Sequence, residues 1–168
     1  MIVVWLIVGV LVVCFGLIVL RGAPYVPTHR RQLEVAFGRL YRLKESDVVA
    51  DLGSGDGVVL LAAVRRGAGA LGYELNPLLA WLSRWRLRRY ERARVAVRDF
   101  MLLERLPADV TVVYAFTTGH SIEAIGRKLE GWSRHQKLYF ISYGFALGGR
   151  APLRSSGSMH LYIFSKKR

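Results

Sequence analysis

The sequence predicts an α/β fold, in which a doubly wound and mostly parallel β-sheet ends in a C-terminal antiparallel edge strand and is preceded by one N-terminal transmembrane helix. Three observations lead to this fold class. Residues 2–20 form an uninterrupted apolar run, short apolar stretches alternate with helical stretches from residue 29 onwards, and a glycine-rich turn at residues 51–57 follows the first of these apolar stretches. Strands that alternate with helices imply parallel pairing, with helices covering both faces of the sheet.

The apolar run at residues 2–20 contains no charged residue, and a helix of that length spans the ~30 Å hydrocarbon layer of a bilayer. A cleaved signal peptide would have basic residues before its apolar segment, and no basic residue precedes this run. Arg21, Arg30 and Arg31 follow closely, which places the C-terminal part on the cytosolic or matrix-equivalent side. We therefore predict a single-pass membrane protein with its anchor at residues 1–21.

The rest of the chain divides into a turn-rich linker at residues 22–28 and one globular domain at residues 29–168. Cys14 is the single cysteine and lies inside the apolar run, so no disulfide is predicted and a reducing compartment is expected. The four histidines are scattered without ligand spacing, and we predict no metal site.

The net charge of +13 is carried entirely by residues 21–168. Such a surplus attracts polyanions, either nucleic acid or anionic lipid headgroups. With an anchor in the same chain, we favour the membrane surface as the partner and keep nucleic acid as the less favoured alternative.

The pattern of apolar residues and the residues that start or end elements determine the predicted helices and strands. Thr28 can cap a first helix at residues 29–42, and Asn76 followed by Pro77 is typical of a helix start. Strands are predicted at 46–53, 69–75, 95–100, 108–116, 137–145 and 160–166, and the other helices at 57–66, 77–94 and 121–132. Residues 147–158, rich in Gly, Ser and Arg, are predicted to be a flexible loop.

The turn "DLGSGDG" at residues 51–57 is not typical of a phosphate-binding loop. A P-loop would place Lys-Ser or Lys-Thr after its last glycine, and none follows here. Asp51 and Asp56 put negative charge where a pyrophosphate would lie, which is electrostatically costly. The turn therefore favours a cationic or zwitterionic ligand.

S-adenosylmethionine is such a ligand, because it carries an ammonium and a sulfonium but no phosphate. Asp51 can address the ammonium, while Glu74 and Asp99, each at the end of a predicted strand, suit the ribose hydroxyls and the adenine amino group. Phe100 offers a ring for stacking. The predicted cofactor-binding residues are Asp51, Gly53, Ser54, Gly55, Asp56, Gly57, Glu74, Asn76, Asp99 and Phe100.

The motifs "DLGSGDG", "GYELNP" and "RDF" resemble those of the class I, seven-strand, Rossmann-like S-adenosylmethionine-dependent methyltransferases. The element "APYVPT" at 23–28, together with the apolar run, is similar to a membrane-anchored branch that contains protein-lysine methyltransferases of the adenine nucleotide translocase and the ATP synthase c-subunit. The resemblance implies an enzyme that N-methylates lysine on a membrane-associated protein. It also implies that Tyr25 and its neighbours fold over the active site.

A lysine nucleophile must lose a proton before it can be methylated, so the acceptor site should combine apolar walls with a proton acceptor. The predicted catalytic residues are Tyr25, Tyr114, Thr117 and His120. His120 has an alternative interpretation as a residue that simply starts a helix.

Other functions remain open at this stage. The acceptor could be a lipid amine, a quinone-like small molecule or RNA, and the domain could also be a non-catalytic, cofactor-binding membrane module. The helix at 77–94 carries six arginines beside Trp81 and Trp85. It is interpreted either as a solvated face with its tryptophans packed inward or as a basic surface against anionic headgroups, with RNA binding as a third option.

Overall fold

The computed structural model describes residues 1–6, Gly9 and residues 30–166. Residues 2–6 are helical (α1), and their apolar side chains are exposed. Within these described residues, no helix is both long enough and apolar enough to cross a membrane. Most of the predicted anchor, the linker at 22–28, Cys14 and Tyr25 lie outside the described residues.

The domain is built on one seven-stranded sheet whose order is β3-β2-β1-β4-β5-β7-β6. The first five strands pair in parallel, and β7 runs antiparallel between β5 and β6. The strands are β1 (Val48–Leu52), β2 (Gly69–Glu74), β3 (Ala93–Val97), β4 (Val112–Phe116), β5 (Leu138–Tyr143), β6 (Arg154–Ser156) and β7 (Met159–Phe164). The predicted Rossmann-like, mostly parallel sheet with an antiparallel C-terminal edge is confirmed.

In the described part of the domain, the first helix precedes β1 and the other helices connect parallel strands. The helices are α2 (Arg30–Glu34), which continues as a π-helical segment (Val35–Leu40), α3 (Val58–Val64), α4 (Pro77–Leu87) and α5 (Ser121–Trp132), with a 3₁₀ turn at Phe100–Leu102. The predicted helix at 77–94 was too long at its C-terminal end. Ala93 and Arg94 instead belong to β3, because they pair with Ala70 and Leu71 of β2.

One strand was missed in the sequence. The predicted loop at 147–158 contains β6, which pairs with the first residues of β7. Its three residues, Arg-Ser-Ser, show no apolar alternation and are largely exposed, so the pattern that identifies a half-buried strand is absent.

The core fills both faces of the sheet. On one face, Phe37 of the π-helical segment and Leu60 of α3 pack with Val49 and Tyr114. On the other face, α5 packs Leu129 and Trp132 against residues of β4, β5 and β7 that include Val113, Phe140 and Phe164. With both faces covered by helices, the carboxyl ends of the parallel strands form the open edge where such folds bind ligands.

Strand β3 lies at one edge of the sheet, where its outward carbonyls have no neighbouring strand. The Arg84 guanidinium of α4 donates two hydrogen bonds, at 3.0 and 2.8 Å, to the carbonyl oxygen of Val95. A side chain thus supplies the donors that a further strand would otherwise provide.

Strand β2 and the turn after β1 approach each other closely at Gly72. A Cβ at this position would lie 2.5 Å from Ser54 Oγ and 2.6 Å from Leu60 Cδ1. A side chain here would push apart the strand, the glycine-rich turn and α3.

We expect Gly72→Ala to lower the free energy of unfolding by about 1–3 kcal/mol, the usual cost of overpacking a core. Gly131→Ala in α5 is the matched control, because a Cβ there meets nothing within 4 Å and an alanine within a helix gains about 0.5–1 kcal/mol over glycine. Chemical denaturation of both variants measures the difference. Equal stabilities would contradict the close approach at Gly72.

Candidate active site

The predicted cofactor residues converge where the central strands end. Asp51 of β1 is paired with Gly72 of β2 on one side and with Tyr114 of β4 on the other. Glu74 ends β2, and its carbonyl accepts a hydrogen bond from the Arg98 amide just beyond β3 at 3.1 Å. Parallel pairing therefore brings the ends of β1, β2 and β3 to the same edge of the sheet.

The turn after β1, residues 53–57 (the glycine loop), has a backbone that only glycine adopts readily. Gly53, Gly55 and Gly57 all have positive φ angles, of 86°, 53° and 81°. Its amides are used inside the protein: Gly53 N and Ser54 N both donate to the Tyr73 carbonyl, at 2.9 and 3.0 Å. The loop therefore does not present a run of free amides of the kind that cradles a phosphate.

Glu74 fixes the shape of this loop. One carboxylate oxygen accepts a hydrogen bond from Gly55 N at 2.7 Å, and the other accepts one from Asn76 N at 2.8 Å. A carboxylate offers about four acceptor positions, so two remain for a ligand hydroxyl. Each bond of an amide to a charged group contributes about 1.5–3 kcal/mol, which makes Glu74 both a structural and a candidate binding residue.

Asp51 is 2% exposed and is the most electrostatically unusual residue of the site. Burial raises the pKa of its carboxyl well above the ordinary value, and the nearby carboxylates of Glu74 and Asp56 raise it further. All three causes act in the same direction. A cation beside Asp51 would offset both the burial and the repulsion, whereas an anion would increase them.

Asp56 is placed differently from the sequence-based expectation. Its carboxylate forms an ion pair with the Arg86 guanidinium of α4 at 2.6 Å, with both side chains partly buried. The contact ties the glycine loop to α4 next to Gly57, where a Cβ would lie 2.2 Å from Ser83 Oγ. Asp56 thus holds the loop in position, and Arg86 is a residue that sequence analysis missed.

Two further predicted residues act as helix caps. Asn76 Oδ1 accepts hydrogen bonds from Leu78 N and Leu79 N and caps α4, as the Asn-Pro start predicts. One oxygen of Asp99 accepts from Met101 N at 2.8 Å and caps the 3₁₀ turn, which leaves the second oxygen for other contacts. Phe100, which follows Asp99, is half-buried against the core on the α5 side of the sheet.

These residues fit a cationic, hydroxyl-bearing ligand. A Cβ built on Gly53 meets nothing within 4 Å, so there is open space at the end of β1. Asp51 lies at this strand end and has no ion-pair partner among the described residues. The Glu74 carboxylate still has acceptor positions that these residues do not use. The buried hydroxyl of Ser54 points instead toward Gly72 and has no hydrogen-bond partner among the described residues.

The predicted catalytic residues that the structure describes differ in burial and in their partners. Tyr25 lies outside the described residues. Tyr114 is buried on the same face of the sheet as Asp51, in the neighbouring strand, and its ring packs 6.0 Å from that of Phe37. His120 is exposed at the start of α5 and makes no side-chain capping bond, which agrees with its alternative interpretation as a helix-start residue.

Thr117 is completely buried, and its hydroxyl has structural partners. Thr117 Oγ1 lies 2.9 Å from Ser142 Oγ, donates to the Tyr143 carbonyl and accepts from Phe145 N. Ser142 Oγ in turn donates to the Phe145 carbonyl at 2.6 Å. This Thr117–Ser142 network joins the end of β4 to the loop after β5, so the hydroxyl is engaged in holding these segments.

An aromatic group at the ends of β4 and β5 was only partly anticipated. The rings of Phe116 and Tyr143 pack edge to face with centroids 5.2 Å apart, and Phe145 is 50% exposed beside Gly119. From the sequence, Phe116 could be a wall of the acceptor site or an ordinary core residue. The strand register pairs it with Tyr143, and Phe145 follows β5 two residues later.

The raised pKa of Asp51 makes stability depend on pH. The folded protein holds this proton more tightly than the unfolded chain, so stability falls as pH rises from the ordinary aspartate pKa through the raised one. Asp51→Asn should remove that fall and make the ligand-free protein more stable than wild type at neutral pH. Thermal unfolding across pH measures this, with the exposed Asp109→Asn as the control. A variant less stable than wild type at neutral pH would contradict the assignment.

Comparison with known proteins agrees with the geometry. The family model of the ANTKMT methyltransferase domain matches residues 51–154, well over half of the chain. The human lysine N-methyltransferase of the ATP synthase c-subunit is 44% identical over 63 residues, which cover 38% of this chain and 26% of that protein. The mouse "Adenine nucleotide translocase lysine N-methyltransferase" is 48% identical over 67 residues, covering 38% of this chain and 28% of that protein. The matched region is thus little more than a quarter of either relative.

Solved structures agree on the fold. An RNA methyltransferase from Salinibacter ruber, in complex with S-adenosyl-L-homocysteine, superposes with a TM-score of 0.75 at 22% identity, covering 85% of this chain and 96% of that one. A putative methyltransferase from Escherichia coli gives 0.66 at 21% identity, with coverages of 86% and 90%. The prediction of a class I S-adenosylmethionine-dependent methyltransferase is confirmed. The chain belongs to the ANTKMT methyltransferase domain family, a membership that implies S-adenosylmethionine as its cofactor.

Proposed function

We propose that this protein is an S-adenosylmethionine-dependent methyltransferase that N-methylates lysine on a membrane-associated protein. The observation that carries the proposal is the acidic arrangement of Asp51 and Glu74 around a glycine loop whose amides are already bonded. Such a site suits a ligand with positive charge and ribose hydroxyls and disfavours a diphosphate. Family membership and the names of the two relatives support the same function.

Four residues would hold the cofactor. Asp51 receives the ammonium, the remaining acceptor positions of Glu74 receive the ribose hydroxyls, and Asp99 and Phe100 address the adenine. When bound, S-adenosylmethionine supplies an electrophilic methyl group on a sulfonium. Asp56, Arg86 and Asn76 keep the glycine loop and the start of α4 in place, so they act as positioning residues.

The acceptor lysine must be neutral when its nitrogen forms the new bond to the methyl carbon, as the bond from sulfur to that carbon breaks. At the ordinary lysine pKa of about 10.4, deprotonation at neutral pH costs about 4–5 kcal/mol. Phe116, Tyr143 and Phe145 can lower this cost by removing water from the ammonium. The Tyr114 hydroxyl and the His120 imidazole remain the proposed proton acceptors, and the Thr117–Ser142 network would keep the surrounding loops fixed.

The membrane part of the proposal rests on the N-terminal sequence. Residues 1–21 would form a single transmembrane anchor, residues 22–28 would cover the active site with Tyr25, and residues 29–168 would lie on the cytosolic or matrix-equivalent side. The exposed apolar side chains of residues 2–6 support this arrangement. An anchor would keep the catalytic domain within reach of acceptor lysines close to the bilayer.

Asp51→Asn and Glu74→Gln should each abolish measurable binding of S-adenosylmethionine or S-adenosylhomocysteine, because each removes a charged partner of the ligand. Isothermal titration calorimetry of the full chain measures this. Asp109→Asn and Glu104→Gln are matched controls, since both side chains are exposed and neither is a predicted cofactor-binding residue. Unchanged affinity in both site variants would overturn the cofactor assignment.

Incubation with membranes and a methyl donor labelled on the transferred group tests the acceptor. We expect label on lysine of one membrane-associated protein, identified by mass spectrometry. Label in the lipid or RNA fraction would overturn the lysine assignment, and retained cofactor binding without any label would indicate a non-catalytic module. The Asp51→Asn variant supplies the background.

Deletion of residues 1–21 should leave cofactor affinity unchanged but strongly reduce labelling of the membrane acceptor, because the domain loses its proximity to the bilayer. The same labelling assay measures this, with cofactor binding as the control for folding. Full activity of the deleted form on membranes would contradict the anchoring role.

A further inference from the structure

Helix α4 is apolar on two opposite faces. Ala80, Ser83 and Leu87 face the core. On the other side, Leu78, Trp81 and Trp85 recur at spacings of three and four residues, which places them in one stripe along the helix. They are 51%, 64% and 54% exposed. The interpretation of these tryptophans as inward-packed is therefore wrong.

The same surface is strongly basic. Arg88 stacks on Trp85, with its guanidinium carbon 4.5 Å from the ring centroid, and Arg89 is exposed beside it. Seven arginines lie between residues 84 and 98: Arg84, Arg86, Arg88, Arg89, Arg92, Arg94 and Arg98. Arg84, Arg86 and Arg92 are bonded within the protein, to Val95, to Asp56, and to Gly67 and Glu45, respectively. Arg88 stacks on Trp85 in the tryptophan stripe, and the exposed Arg89 follows it in the chain. Glu91 is the single acidic residue in that interval.

This combination of groups matches the surface of an anionic bilayer. Tryptophan sits at the level of the lipid headgroups with its ring partly in the acyl region, and arginine pairs with lipid phosphates. Leu78 and the adjacent Leu75, 47% exposed, extend the apolar stripe. These aliphatic side chains neither stack on bases nor bond phosphates, so the surface fits lipid better than RNA.

We propose that the α4 face, defined as Leu78, Trp81, Trp85, Arg88 and Arg89, lies against an anionic bilayer surface. Glu74 lies only three residues before the start of α4, so this contact would place the methyl-donor site at the height of the headgroups. The inference rests on the membrane location in the proposed function but not on methyl transfer itself. Fluorescence can therefore test it independently of activity.

The test uses the full-length Trp5→Phe variant reconstituted in nanodiscs that contain anionic lipids brominated in the upper acyl chain. Its remaining tryptophans are Trp81, Trp85 and Trp132, and Trp132 is 1% exposed in the core. We expect bromine to quench emission and the bilayer to shift it to shorter wavelength. In the further variant that also carries Trp81→Phe and Trp85→Phe, we expect the quenching to be lost.

Charge reversal tests the electrostatic part. Arg88→Glu combined with Arg89→Glu should remove most of the bromine quenching, since the two substitutions replace attraction to an anionic surface with repulsion. Arg134→Glu combined with Lys137→Glu is the matched control, because these exposed residues follow α5 in the chain and do not belong to the α4 face. Nanodiscs of zwitterionic lipid should give weaker quenching than anionic ones.

Three outcomes would overturn the proposal. The first is emission that brominated lipids leave unchanged. The second is protection of Trp81 and Trp85 from acrylamide that increases with protein concentration at a fixed excess of detergent, which would indicate a second copy of this chain on the face. The third is a change in their emission caused by RNA but not by lipid. Quenching without methyl transfer would contradict the proposed methyltransferase activity but not the membrane contact. Methyl transfer without quenching would contradict the membrane contact of the α4 face but not the activity.

Discussion

The carboxylate of Glu74 is the constraint on which the rest of the site depends. With one oxygen on Gly55 N and the other on Asn76 N, it joins the turn after β1 to the turn after β2. The first turn sets the positive-φ glycine loop, and the second begins α4 at its Asn76 cap. The ion pair of Asp56 with Arg86 joins the same two segments, because Asp56 lies in the glycine loop and Arg86 lies in α4. A single side chain thus organises a backbone that glycine alone would leave loose.

The carboxylates of the site interact unfavourably with one another and with their buried surroundings. Asp51 is buried beside two other carboxylates, an arrangement that lowers the stability of the ligand-free fold. Such a residue is retained where a ligand supplies the missing positive charge, and binding then recovers the free energy that folding gave up. If Asp51 receives the ammonium as proposed, stability and ligand binding make opposite demands on residue 51, a trade-off common at functional sites.

Much of the fold, and the grouping of residues in the candidate site, could be predicted from the sequence because both depend on local signals. Apolar runs identified the central strands, Asn76-Pro77 gave the start of α4, and acidic residues at successive strand ends indicated the ligand. The remainder depends on tertiary contacts. The orientation of Trp81 and Trp85, the partner of Asp56 and the Thr117–Ser142 network are set by packing between distant segments. Strand β6 escaped prediction since its polar residues pair through the backbone alone.

The bond from Arg84 to the Val95 carbonyl has a consequence for how the protein behaves when crowded. An exposed edge strand is a template for another chain, and an edge that already has its acceptor filled by a bulky cation is a poor one. At the opposite edge, β6 has only three residues and they are polar, so another chain has little backbone with which to pair. The proposed anchor would confine the domain to the plane of a membrane, where it would meet its own copies far more often than in bulk solution. With both edges of the sheet protected, such encounters would not lead to intermolecular β-pairing.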